Sequence, residues 1–329
     1  MVTSRQVARG VFRTMRAMDR AGKQAERQRV VRQQAQNRQA QLNASAAAVD
    51  GYDAIVEALT GAHRVTFTRL DWLSTATAPL LSEPERQEDE EGAAQARLDG
   101  FVPGWFTRLL KREEKVREDL ENRILFARSR DDLAHGERVD AVARQNEAIR
   151  AAQRLVEGAP DAIVQALEAH SGLGSLPYSV EGLDTLFVDD RVIAVVDGLD
   201  LEDMPEESVS LLKSGRASFK ALAAAKRYEM HRDALCSAAV RVALEFLSTL
   251  PIDAVEVVML TDILDRATGH IEARPVLYLR VAEQAVRALN LSRTDSAALV
   301  ERLGGHMDWS KRDGFRAINA AAFGVEVDL

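Results

Sequence analysis

The chain has 329 residues, 46% hydrophobic and 29% charged, with three tryptophans and four tyrosines, which suits a helix-rich protein of two or three domains better than a β-sandwich. Its net charge of −8 is unevenly spread: residues 1 to 40 carry ten Arg or Lys against Asp19 and Glu26, a surplus of eight that leaves a deficit of sixteen elsewhere. A single cysteine, Cys236, excludes an intrachain disulfide and a thiolate-rich zinc site, and with no run of 18 apolar residues and no secretory leader the expected location is cytoplasmic.

Residues 1–45 are expected to form a basic helical arm. Val7, Val11, Met15 and Met18 recur at intervals of three and four, and Arg5, Arg9, Arg13, Arg16, Arg20, Lys23 and Arg27 supply the charge. Such a rod can meet a protein partner or a second copy of the chain, contact nucleic-acid phosphates without reading bases, or lie on an anionic membrane surface. A helical region over 46–170 follows. It begins with a helix that Gly61 stops, and passes through EPERQEDEE at 83–91, whose acid density and proline read as an exposed linker. One or two long helices are expected over 105–156, and Pro160 and Asp161 open a short one to 170.

From 175 to 329 the pattern becomes that of an α+β domain. LDTLFVDD and RVIAVVDG predict a β-hairpin, 201–215 an irregular connection, and 217–250 a helix buried along Leu235, Ala239, Val242 and Phe246 until Pro251. DAVEVVMLTD and ARPVLYLRV predict two strands about a TDILDRATGHIE turn. Asp295 opens a helix that Gly304 and Gly305 end, and a connection and a short strand, FGVEVDL, follow. The expected fold is therefore α+β: a long helical arm or coiled-coil hairpin, then a compact domain with a small antiparallel sheet packed by a long helix.

The segments SLPYSVEGLDTLFVDDRVIAVVDG, KRYEMHRDALCSAAVRVALEFL and IDAVEVVMLTDILDRATGHIEARPVLYLRV, with ALNLSRTDSAALVERLGG, resemble an uncharacterised bacterial domain often found in front of Mrr-type restriction endonuclease domains. The resemblance spans about residues 105–308 and is carried most by the turn Asp265 to Gly269 and by Leu289-Asn290-Leu291 to Asp295. It implies work in bacterial defence or DNA metabolism, but the chain ends where the nuclease domain would begin.

One constellation invites a catalytic reading. Asp262 or Asp265 with Glu272 could hold a divalent cation, as in restriction-type nucleases, but Arg274 stands where a lysine would orient water, and arginine is a poor base. An acidic turn between ordinary strands is the simpler account. His231, beside Glu229 and Asp233, reads as helix-surface polarity, and Cys236 as a buried small hydrophobe. With no P-loop and no G-x-G-x-x-G, no cofactor is expected. These readings favour a noncatalytic adaptor or scaffold. A nucleic-acid-binding protein using the basic arm and a metal-dependent nuclease remain alternatives.

Overall fold

A computed structural model describes residues 36–176, 180–188, 191–264 and 268–325. The arm residues Arg5, Arg9, Arg13, Arg16, Arg20, Lys23 and Arg27, the turn residues Asp189 and Asp190, and Asp265 lie outside them. The chain divides into two compact units. One takes in the described residues up to Phe67, Gly172–Leu244 and those from Ala254 onward; the other is Thr68–Ser171 with Glu245–Asp253.

The first unit is mixed α/β. Helix α1 runs over 36–60 and turns its half-buried Val49, Tyr52 and Val56 and its buried Leu59 inward. A six-stranded sheet follows in the order β1-β2-β5-β6-β7-β8, with β1 Val180–Val188, β2 Arg191–Gly198, β5 Ala254–Leu264, β6 Ile271–Ala282, β7 His306–Ser310 and β8 Gly314–Arg316. The predicted hairpins β1–β2 and β5–β6 are present and antiparallel, whereas β2 and β5 run parallel. The expected small antiparallel sheet is thus corrected to a larger mixed one. Its cause is the connection between β2 and β5, which is long enough to cross over and return in the same direction.

That connection holds two further differences. The stretch read as irregular contains β3 Glu207–Leu211, which pairs with β4 Ala217–Ala221 in a separate two-stranded sheet. Glu207, Val209 and Leu211 alternate with Ser208 and Ser210 at a period of two, and Gly215 at φ 78° makes the turn. Helix α7, Ala224–Thr249, consequently starts seven residues later than expected. At the other end of the chain, the predicted connection after 310 contains β8, which pairs with β7.

Both faces of the sheet are covered, which is why RVIAVV and AVEVVML read as continuous apolar runs. On one face Ile193, Val195, Val258 and Leu260 pack with Ala320 and Val325 of the C-terminal segment, and Phe323 stacks on Tyr278 at 4.1 Å between ring centroids. On the other lies α7. Gly198 marks the closest approach: a methyl added there would stand 2.5 Å from Leu235 Cδ2 and 3.1 Å from the Leu260 carbonyl oxygen. Gly198→Ala is expected to lose about 2 kcal/mol through overpacking, read as a lower urea midpoint with an unchanged slope.

A buried histidine ties the helix to two loops. His63 is fully buried; its backbone N–H donates to Ser237 Oγ at 3.2 Å, its Nδ1 lies 2.9 Å from the same hydroxyl, and its Nε2 lies 3.1 Å from the Thr294 carbonyl oxygen. As predicted, Asp295 caps the helix Ser296–Arg302, accepting the Ala298 N–H at 2.9 Å.

The second unit is helical: α2 Trp72–Ala76, α3 Asp89–Asp99, α4 Trp105–Leu109, α5 Glu113–Val156 and α6 Pro160–His170. The 44 residues of α5 span about 66 Å at 1.5 Å per residue. Extended chain lies along α5, with Asn146 taking both the N–H and the carbonyl of Leu81. The expected linker over 83–91 is extended only as far as Glu88, because Asp89, Glu90 and Glu91 form the first turn of α3, where carboxylates favour the helix dipole. Asp131, buried on α5, accepts the backbone N–H groups of Glu90 and Glu91. Arg86 and Arg128 bind the Glu91 carboxylate and hold it below the usual range for a glutamate. The acidic run is therefore a helix start matched to bases on α5.

Candidate functional site

The register of β5 against β6 decides how the acidic constellation is arranged. Asp262 pairs with Ala273, Ile263 with Glu272 and Thr261 with Arg274. Partners across a ladder share a face and neighbours along a strand alternate, so Glu272 and Arg274 lie on one face and Asp262 on the other. Asp262 shares its face with Leu260 and, through the parallel pairing of Leu260, with Asp197. Its carboxyl is pushed up by desolvation and by the neighbouring Asp200, Asp197 and Glu202, while its backbone N–H donates to Asp200 Oδ1 at 2.7 Å. On the opposite face Arg274 is engaged by Glu272. Two carboxylates on opposite sides of a sheet do not converge on one cation, and among the described residues no group of three or more His, Cys, Asp or Glu could hold a metal ion.

On the α7 side of the same hairpin end lies a cavity of about 560 Å³, lined among others by Glu202, Tyr228, His231, Thr261, Phe315 and Arg316. Contrary to the surface reading, His231 is only 4% exposed. Its Nε2 is 2.8 Å from the Leu199 carbonyl oxygen, and its ring meets Phe315 edge-on at 5.4 Å. A carbonyl only accepts, so Nε2 carries the proton and Nδ1 the lone pair. Burial pushes the imidazole below its ordinary range, against the Leu199 bond and the carboxylates of Asp200, Glu202 and Asp203. Gly314, at φ 76°, lies so close to Tyr228 that an added methyl would stand 2.9 Å from the ring. Cys236 is buried as expected; desolvation raises its thiol far above the reactive range.

A surface of another kind runs along α5. Ala127, Asp131, Ile149, Ala152 and Leu155 mark its buried stripe. Leu125, Phe126 and Leu133 face the opposite way and are 62%, 66% and 67% exposed. Phe126 and Leu133 are seven residues apart, two helical turns, and so share one side. Leu109 and Leu110, before the start of α5, are exposed as well.

No protein-family model, curated protein or solved structure matches the chain. No described helix is long and apolar enough to cross a membrane.

Proposed function

We propose that the protein is a noncatalytic adaptor or scaffold that acts through protein contacts, with partners or with further copies of itself, made by the outward side of α5. The observation that carries this reading is the apolar side formed by Leu125, Phe126 and Leu133, which faces away from the packed stripe of the same helix. Large side chains held two-thirds exposed on a rigid helix are anchors of the kind that fill a partner's groove. The link to bacterial defence or DNA metabolism rests on the resemblance to the domain that precedes Mrr-type endonucleases.

The test compares the full chain with a Leu125→Glu, Phe126→Glu, Leu133→Glu variant by circular dichroism, light-scattering mass and retention of co-purifying protein. The variant keeps its helicity, because these side chains lie off the packed stripe. Its assembly weakens at least tenfold, or about 1.4 kcal/mol. A wild-type chain that stays monomeric and retains no partner, or a variant that assembles like wild type, rejects the proposal.

A further inference from the structure

We infer that the cavity between α7, the end of β5 and the β7–β8 hairpin binds a small organic cation, a protonated amine or guanidinium group carried on a compact apolar body. Its volume, about 560 Å³, lies in the range of small-ligand sites. Some of its polar groups are already engaged and others are not.

Arg316 is matched by Asp313 at 3.0 Å and by Asp308 at 3.9 Å. Thr261 Oγ donates to Asp200 at 2.8 Å. Four lining groups have no such partner among the described residues: the Glu202 and Asp262 carboxylates, the Tyr228 hydroxyl and Nδ1 of His231. His231 is more than nine-tenths buried, and with Nε2 committed to Leu199 its Nδ1 is left to accept from whatever enters the cavity. Three of these four groups only accept, and the hydroxyl can do either, so the complement is a hydrogen-bond donor. Its charge follows from the field, because the lining acids Glu202 and Asp262 have no ion pair among the described residues and Asp200 and Asp203 lie close to His231. Tyr228 and Phe315 add aromatic surface to the lining that suits an apolar body.

The full-length protein is titrated with benzylamine, and with benzyl alcohol and phenylacetate as neutral and anionic counterparts. Binding is followed by calorimetry and by the imidazole nitrogen resonances of His231. Benzylamine is expected to bind at least tenfold more tightly than either counterpart and to move the Nδ1 resonance in the direction of hydrogen-bond acceptance. Glu202→Gln, at an exposed position, weakens it at least tenfold. Ala317→Trp, also exposed and at the rim, abolishes binding by filling the mouth while the circular dichroism stays unchanged. No heat and no shift with benzylamine, equal affinity for benzyl alcohol, or undiminished binding by either variant overturns the inference.

Discussion

Arg191→Ala is expected to lose about 3 kcal/mol of stability, the low end for breaking a buried ion pair, because it strands Glu256 in the core. The Glu256 side chain is 6% exposed and the Arg191 side chain 30%. Arg191 Nε donates to Glu256 Oε1 at 2.9 Å, one terminal nitrogen engages Oε2, and the same nitrogen donates to the Phe323 carbonyl at 3.0 Å. One guanidinium thus neutralises a carboxylate inside the sheet and fastens the segment that covers it. The nearest substitute, Arg280, is 3.8 Å from Oε1 and 64% exposed, too far and too solvated to replace a bidentate contact. Tyr278, pushed up to about 12 by burial and then by Glu256, stays a neutral phenol beside Glu256 and brings no positive charge to replace the guanidinium. Urea titration is expected to show a lower midpoint, and hydrogen exchange over 320–325 to quicken. Pairing Arg191→Met with Glu256→Leu should recover most of the loss, since no charge is then stranded. A loss below about 1 kcal/mol in Arg191→Ala, or no recovery in the pair, means that the clamp does not act as described.

Much of the alternation of helix and strand was legible because it rests on period. Runs such as RVIAVV and AVEVVML, short, rich in valine and bounded by turn residues, fit strands, and Asp295 before an apolar helical run marks a helix start. Pairing between distant strands leaves no such local mark. That β2 runs parallel to β5 depends on how the intervening chain returns, and the hairpin in that interval is built of five-residue strands in which Ser and Ala make up half the residues. The alanines after 217 weigh toward a helix on propensity, and the turn at Gly215 overrides them.

The acidic stretches were legible as composition and misread as environment. A run such as EDEE describes a solvated linker or a helix start equally well, and Asp131 and Arg128, about forty residues away, determine which it is. For His231 the signal was present. Tyr228 and His231 extend the stripe of Leu235, Ala239 and Val242 backward at intervals of three and four, so a polar residue on the buried side was readable as inward-facing. The Asp262–Glu272 pair failed for a related reason: spacing along a hairpin does not say which face a carboxylate takes until the register is known.

Acid is expected to destabilise the fold through His63 and His231 before its carboxylates titrate. Desolvation lowers both imidazoles from the ordinary value of 6.5. For His63 the bond to Thr294 opposes the shift, as do Asp295 and Glu57, and Arg64 adds to it; around His231 the opposing groups are the Leu199 carbonyl, Asp200, Glu202 and Asp203. The bonding of His63 requires the neutral ring. Ser237 Oγ accepts the His63 backbone N–H and gives its own proton to Nδ1, while Nε2–H donates to Thr294, so a second ring proton finds its acceptor already occupied. A histidine whose folded value is depressed contributes its full stability above the unfolded value and loses it as pH falls below 6.5 toward the folded value. Within that window each ring contributes a slope approaching about 1.4 kcal/mol per pH unit. Asp197, Asp233 and Asp262, all raised, act with the opposite sign, gaining stability as pH falls through their folded values, and that range begins above the ordinary 3.8. Urea unfolding at pH 7.5, 6.5 and 5.5, compared between wild type and a His63→Gln, His231→Gln variant, separates the two contributions, because the variant keeps the carboxylates. The wild type is expected to lose more than the variant across this interval, by at most about 3 kcal/mol, the full slopes of two rings over the pH unit below 6.5. Equal losses in the two proteins place the acid sensitivity elsewhere.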